Sequence, residues 1–368
     1  VSWNGNSSET ITWNVANTNN AIVDAQNVKI SLSTDGGNTF PIVIAASTAN
    51  DGSETITVPN VTTTQARIRI EAVGNIFFDI SGANFSITAS TTAPNRTAFD
   101  FDGDGKADVS VFRPSTGTWY LSNSQSGFYG AQFGASGDKI VPADFDGDRK
   151  TDLAVYRNGT WFIQRSQAGF LGFQFGDAND ITAPADVDGD GKAEIVVFRP
   201  STGTWYVYNL ANNQVSSVSF GQTGDVPVLS DFDGDGKANF AVFRPSAGTW
   251  YIARATGVPA QNFDAVTFGA NGDKAVPADF DGDGKTDVAV FRPSTGIWYI
   301  MRSRDGLTGV HFGASGDFPT AADYDGDGKA DVAVFRSGTW YINRSQAGFT
   351  GVAFGASTDQ AAPNAFIR

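Results

Sequence analysis

One phrase, Asp-x-Asp-Gly-Asp-x-Lys-x-Asp with small variations, returns six times and governs what this chain can become. It begins at Asp100, Asp144, Asp186, Asp231, Asp279 and Asp323, at steps of 44, 42, 45, 48 and 44 residues. After each occurrence come an apolar run such as Val109-Ser110-Val111-Phe112-Arg113, a turn at 114–117 and a Thr118-Trp119-Tyr120-Leu121 segment. A variable stretch then leads to a Phe-Gly pair, at Phe133, Phe175, Phe220, Phe268, Phe312 and Phe354. Within the second cycle four short strands are predicted, at 140–143, 152–156, 160–164 and 172–175. A repeat of this length holding four strands suits a propeller blade, which buries its faces only by stacking on neighbours.

Six cycles predict a six-bladed ring. A seven-bladed alternative needs about 30 more residues than remain, or a partner chain. The tail at 361–366 restarts the strand before a loop, in phase with 141–143. It is expected to close the ring near the first cycle, whose own leading strand at 97–99 is weak. Residues 1–93 lack the repeat. Alternating segments at 11–15, 28–32, 41–45, 56–58, 66–70, 76–80 and 85–87 predict seven strands. They fit an immunoglobulin- or fibronectin-like sandwich without a disulfide. A short, fairly stiff linker is expected at 91–95. The predicted fold is thus all-β: a sandwich over 1–93 and a propeller over 94–368.

Composition removes several function classes. There is no Cys, and His311 is the one His, so thiol chemistry, a Ser-His-Asp triad and multi-His metal sites lack their residues. A net charge of −14 argues against nucleic-acid binding and against docking on anionic membranes. No apolar run approaches a membrane span. The chain starts at Val1 with its sole Met at Met301, which reads as a processed or excerpted chain.

The loops carry oxygen ligands at positions 1, 3, 5 and 9, with the position-7 carbonyl as a further candidate. In the first loop these are Asp100, Asp102, Asp104, Asp108 and Lys106. In the second they are Asp144, Asp146, Asp148, Asp152 and Lys150. The third has Asp186, Asp188, Asp190, Glu194 and Lys192. The fourth has Asp231, Asp233, Asp235 and Lys237, but ends in Asn239 and is expected to bind more weakly. The fifth has Asp279, Asp281, Asp283, Asp287 and Lys285. The sixth has Asp323, Asp325, Asp327, Asp331 and Lys329. Crowded carboxylates repel unless a cation sits among them, and hard oxygen donors without imidazole or thiolate select Ca²⁺ over Mg²⁺. An EF-hand would need Glu at position 12, where the first loop has Val111. The loops hold 23 of the 39 acidic residues. About six Ca²⁺, one per repeat, would bring −14 to about −2. The expected role of the ion is structural. Arg149 replaces a loop glycine and predicts a strained turn.

The Asp-Phe-Asp-Gly-Asp-Gly-Lys-x-Asp phrase with its Val-Phe-Arg-Pro-Ser-Thr-Gly-Thr-Trp-Tyr continuation resembles the FG-GAP/VCBS repeats of secreted bacterial proteins. Relatives of those repeats are the calcium-binding blades of integrin α-subunits and of some fungal lectins. The resemblance covers 97–359 and implies extracellular location, calcium, and binding or adhesion. Residues 1–90 are similar to sandwich domains that follow the catalytic domain of some secreted metalloproteases, in Thr10 to Val15, Leu32 to Gly37 and Ile76 to Ile80. No zinc-binding His-Glu motif is present, so a protease identity is not implied.

Other recurrent residues have plainer readings. Trp119, Trp161, Trp205, Trp250, Trp298 and Trp340 are read as inter-blade core, against the alternative of sugar-stacking platforms. Arg113, Arg157, Arg199, Arg244, Arg292 and Arg336 are expected to pair with a carboxylate or carbonyls of a neighbouring blade. Asp138, Asp180, Asp225, Asp273 and Asp317 read as turn formers, and His311 as a surface residue. No nucleophile–base pair or phosphate-cradling loop is found, so the expected protein is not an enzyme. It is a calcium-stabilised extracellular binding or adhesion protein of the cell surface or secretome, taking a protein or glycan ligand. Alternatives are a structural subunit of a filament, sheath or surface layer, where a free terminal strand would pair between protomers, a lectin, and an accessory region of a larger secreted hydrolase.

Overall fold

Among the described residues every regular element is a strand, beyond one short 3-10 turn, Ala362–Asn364. The computed structural model describes residues 1–5, 7–59, 61–88, 97–254 and 258–364. The chain divides into two compact units, Val1–Asn95 and Arg96–Arg368. The predicted linker at 91–95 lies outside the described residues.

In the first unit, strands run side by side in the order Ser2–Asn4, Phe85–Thr88, Thr63–Ala72, Asn27–Ser33 and Ile42–Ala49. Phe78–Ile80 pairs with Thr63–Ala72, and Ser8–Thr12 with Ser53–Thr57 form a separate pair. The alternation of Ile30 and Leu32, Ala66 and Ile68 puts one face of each strand into a shared core with Ile11, Ile56, Val58 and Ile87. All seven predicted strands are present in shifted form. An eighth, Ser2–Asn4, pairs parallel to Phe85–Thr88; three residues with one half-buried Trp are too short for an alternation signal. Residues 13–15 leave the predicted strand because Trp13 Nε1 turns to the buried Asn50 Oδ1, at 2.9 Å, while Asn50 Nδ2 holds the carbonyl of Ala25.

The second unit is a β-propeller fold of four-stranded sheets, six among the described residues. Burial falls from the inside outward. The strand after the Asp loop, such as Leu153–Arg157, buries four consecutive residues in five of the six sheets because both of its faces are covered, and three in the fourth, Asn239–Arg244. The Trp strand, such as Thr160–Arg165, alternates buried and half-buried. The last strand, such as Gly127–Gln132, is mostly exposed. The innermost strand of the second sheet is shorter than predicted. Only Lys139–Ile140 pairs regularly, and the predicted run to Ala143 continues as one bond from Val141 N–H to Ala154 and a single bridge from Ala143 to Asp152.

The first sheet takes its innermost strand from the other end of the unit. Gln360–Ala361 pairs antiparallel with Val109–Arg113, with Gln360 opposite Phe112 and Ala361 opposite Val111. The weak 97–99 segment forms no strand, and Phe99 adopts φ +66°. The first sheet packs in one core with Leu153 and Val155 of the second and with Ala333, Phe335, Trp340 and Ile342 of the sixth. The terminal strand is therefore used within the chain, which removes the sequence argument for strand exchange between protomers. Residues 365 and 366 of the tail lie outside the described residues.

All six repeat Trp residues are fully buried, and each indole N–H donates to the carbonyl of the Phe in its own Phe-Gly pair, at 2.7–3.0 Å. The following Gly134 has φ +142°, and a Cβ there would sit 2.9 Å from the Phe112 ring. Trp and Phe-Gly are thus one device that locks the third strand to the sheet edge. Sugar-stacking by these Trp side chains is excluded by their burial.

Each repeat Arg forms a two-pronged ion pair, as in Arg157 Nε to Asp138 Oδ1 (2.6 Å) and Nη2 to Asp138 Oδ2 (2.7 Å). Its guanidinium also lies over an aromatic ring, Phe162 in this case, 5.0 Å from the centroid. The partner belongs to the segment entering the same sheet, not to a neighbouring blade as expected. The recurrent Asp residues are therefore more than turn formers. Asp138 also accepts the Ala135 N–H at 2.8 Å, and one buried carboxylate closes the turn and holds the Arg. In the first sheet the partner of Arg113 is Asp359, beside the C-terminal strand. His311 is exposed, as read from the sequence.

Arg149 sits at φ +72°, in the left-handed region that the other five loops fill with Gly. Arg149→Gly is expected to stabilise the protein by about 0.5–1 kcal/mol, net of the extra freedom glycine gives the unfolded chain. A shift of the urea midpoint at constant slope would measure it; a lowered midpoint would refute the strain.

Candidate metal centre in the aspartate loops

Each loop is shaped first by its own backbone. In the first, Asp100 Oδ1 accepts the Gly103 N–H at 2.6 Å and Oδ2 accepts the Gly105 N–H at 2.8 Å. Both glycines have positive φ, +83° and +90°. Asp108 is fully buried; its Oδ2 takes the Phe101 N–H and its Oδ1 the Ser124 N–H, both at 2.7 Å. Asp102 Oδ2 takes the N–H groups of Gln125 and Ser126. The loop thereby grips the turn between the third and fourth strands of its own sheet.

Carboxylate oxygens from positions 1, 3 and 9 come within 4.8 Å of one another in loops one, two, three and five, among others: Asp100, Asp102, Asp108; Asp144, Asp146, Asp152; Asp186, Asp188, Glu194; and Asp279, Asp281, Asp287. The fourth loop gathers Asp231, Asp233 and Asp235 instead. Position 5 stands apart elsewhere. Its two oxygens take the position-7 N–H and a serine hydroxyl of the turn, as in Asp148 with Lys150 N–H (2.9 Å) and Ser166 Oγ (2.7 Å). Asp104, Asp283 and Asp327 do the same with Ser124, Ser303 and Ser345, and Asp190 and Asp235 take the N–H of Lys192 and Lys237. These serines were missed from sequence. Their signal was a Ser 14 or 16 residues beyond position 9 in four of the six cycles.

The position-7 lysines matter through their side chains. The stem of Lys150 lies against Gly103 of the preceding loop, so a Cβ there would meet its Cε at 3.1 Å. Lys192 does so at Gly147, Lys237 at Gly189, Lys285 at Gly234, Lys329 at Gly282, and Lys106 at Gly326. A backbone series runs beside it: Thr151 N–H donates to Asp100 O, and the equivalents continue until Ala107 N–H donates to Asp323 O at 2.6 Å. Loop six is thus joined to loop one.

Burial dominates the electrostatics of position 9. It pushes Asp108, Asp152, Glu194 and Asp331 up to about 7 and Asp287 to about 6, against ordinary values of 3.8 for Asp and 4.5 for Glu, with neighbouring loop aspartates adding to it. Asp100, Asp231, Asp279 and Asp323 are raised for the same first reason. With divalent ions chelated, the folded protein therefore holds more protons than the unfolded chain between about pH 4 and pH 7. Its stability falls as pH rises through that window. The melting temperature in EDTA is expected to be higher at pH 5 than at pH 8, and the opposite order would contradict the burial of these groups.

One acceptor stands out. Oδ1 of Asp102, Asp146, Asp281 and Asp325, the position-3 residue of loops one, two, five and six, is buried without a hydrogen-bond partner. Asp281 as a whole is 1% exposed. A charged oxygen in that state carries the full cost of lost hydration unless a cation meets it.

A family model described as an FG-GAP-like repeat matches residues 100–155, 186–242, 231–290 and 279–334, together more than half of the chain. The chain belongs to the FG-GAP-like repeat family. Each FG-GAP-like match starts at position 1 of an Asp loop, so the family unit runs from one loop through the following sheet to the next. No curated protein matches the chain. Among solved structures, a lectin from Agrocybe aegerita recognising non-reducing terminal N-acetylglucosamine is 16% identical at a TM-score of 0.45, covering 92% of this chain and 90% of its own. A catalytically inactive virginiamycin B lyase from Staphylococcus aureus with quinupristin is 5% identical at 0.45, covering 96% and 90%. BBS1N in complex with ARL6DN is 12% identical at 0.42, covering 70% and 78%. At these identities and scores the three likenesses bear on neither ligand nor activity. Among the described residues no helix is long and apolar enough to cross a membrane.

Proposed function

We propose that this FG-GAP-like repeat protein is a non-catalytic, calcium-stabilised extracellular binding or adhesion module, a six-bladed propeller preceded by an immunoglobulin-like sandwich. The observation that carries it is the buried, unpartnered position-3 oxygen among convergent carboxylates. Hard oxygen donors in a flexible set suit Ca²⁺. Asp100, Asp102 and Asp108, and their equivalents, would hold it; bound there, it supplies positive charge that offsets carboxylate repulsion. The repeated polar groups are otherwise engaged in holding the fold: Arg on Asp, Trp on a carbonyl, Asp on backbone N–H groups. That leaves variable loops on a rigid frame as the natural place for a protein or glycan ligand.

The test is an array of glycans and cell-surface proteins probed with the purified chain in millimolar calcium and in EDTA. Saturable binding that chelation abolishes supports the reading. No binding to either class, or turnover of a probe, would overturn it.

A second reading, assembly into a filament or layer, is favoured by one feature. Phe128, Phe170, Val215, Phe263, Leu307 and Phe349 occupy equivalent places on the six outermost strands, and all are exposed. Phe170 packs edge-on against Phe133 of the previous repeat at 6.3 Å, and Phe128 against Phe354 at 6.4 Å. An apolar belt on free strand edges is a surface on which copies can associate. Regular polymers in micrographs of native material would support this reading, and a monodisperse monomer would refute it.

A further inference from the structure

The fit between loop and ion is not uniform around the ring, and two neighbouring loops carry their own substitute for a cation. In the fourth loop, Asn239 Oδ1 accepts the Phe232 N–H at 2.7 Å, as the position-9 carboxylate does elsewhere. Flipping the amide would set its NH₂ against that N–H, so the orientation is fixed by the backbone donor. Nδ2 therefore points to the loop interior and donates to Asp233 Oδ2 at 3.2 Å. In the third loop the amide comes from the turn. Asn209 Oδ1 accepts the N–H groups of Ala211 and Asn212, at 2.9 and 3.0 Å, which again fixes the flip. Its Nδ2 then lies between two acids, 2.5 Å from Asp188 Oδ2 and 3.2 Å from Glu194 Oε1.

Among the described residues, loops one, two, five and six have no side-chain amide in this role. In each of them a serine-led turn covers position 3 and leaves its Oδ1 buried and unpartnered. In the third and fourth loops the other oxygen is met as well: Asp188 Oδ1 accepts the Asp190 N–H at 3.0 Å and Asp233 Oδ1 the Asp235 N–H at 3.3 Å, and both aspartates are exposed. An amide N–H satisfies a carboxylate without a positive charge, and it occupies space where an ion would need lone pairs.

From this arrangement we infer that the ring takes up four calcium ions, not six: loops one, two, five and six each hold one, while loops three and four are closed by the side-chain amides of Asn209 and Asn239. The inference rests on the calcium reading above and sharpens it for this chain. It divides the ring into a calcium-held arc and a calcium-independent arc of two adjacent repeats.

Native mass spectrometry of the full chain, titrated with calcium alone, counts the ions. Four per chain is the expected result. Five or six in wild type would overturn the inference and leave calcium binding standing; none would overturn calcium binding itself. Two variants map the sites. Asp281→Asn should lower the count to three, whereas Asp233→Asn should leave it at four. Asn239→Asp should raise it to five and increase the thermal shift that calcium produces. Equal losses from Asp281→Asn and Asp233→Asn would contradict the division, and a melting transition recorded for each variant separates a lost ion from a lost fold.

Discussion

Truncation after Thr358 is expected to lower the melting temperature by about 10 °C or more, relative to full-length protein under the same calcium concentration. The cut removes the innermost strand of the first sheet, Gln360–Ala361, and with it the fully buried Ala361 and Ala362. It also removes Asp359, whose carboxylate is buried and holds Arg113 through two bonds of 2.8 Å. Val111 and Phe112, both fully buried, lose their cover on the strand edge. The ion pair contributes about 1–2 kcal/mol, since Arg113 is partly exposed, and the opened edge adds a few kcal/mol more. Together these come to about 4–6 kcal/mol, and each kcal/mol shifts the midpoint of a unit this size by about 2–4 °C. Asp138→Ala is the control, because it removes the equivalent ion pair of the second sheet without opening an edge. It is expected to cost about 2 kcal/mol. A truncated chain that melts no lower than Asp138→Ala would mean that the terminal strand does not close the ring.

The repeat makes most of the propeller legible in the sequence. The loop, the Trp strand and the Phe-Gly pair each recur at fixed phase, so a strand seen weakly in one cycle is reinforced by five others. Even the closure by the tail could be read, because 362–364 copies the phase of 141–143. What stayed hidden were the contacts that join residues far apart in sequence. The pairing of Arg157 with Asp138 spans 19 residues, and that of Arg113 with Asp359 spans 246. A recurrent Asp after Gly reads locally as a turn former, and nothing in its neighbourhood announces a guanidinium. Likewise Lys106 appears as a loop residue, while its aliphatic stem acts on Gly326 at the other end of the unit. The aspartate loops were legible as crowded acids, but their inequality was only half so. Asn239 visibly lacks a charge. Asn209 gives no sign in the sequence that it reaches back to Asp188 and Glu194. In the first unit, unrepeated and weakly patterned, strand ends slipped by several residues and Ser2–Asn4 went unseen.

Removing calcium is expected to have the largest effect of any change of conditions at neutral pH. Without it, position-9 carboxylates that burial holds near neutrality, such as Asp108 and Asp331, must either ionise beside other acids or remain protonated at a cost. With it, each ion bound to the folded state alone adds RT ln(1 + [Ca²⁺]/Kd), about 1.4 kcal/mol at 1 mM calcium and a Kd of about 10⁻⁴ M. Four such ions contribute about 6 kcal/mol, or more than 10 °C in melting temperature. Magnesium at the same concentration should do much less, since it keeps its waters and demands an octahedral set of donors. Differential scanning calorimetry of the full chain at pH 7.5, in 1 mM calcium and again in excess EDTA, measures this directly. A drop of more than 10 °C on chelation, restored by calcium and not by magnesium, is the expected result; an unchanged transition would contradict the claim that cations hold these loops.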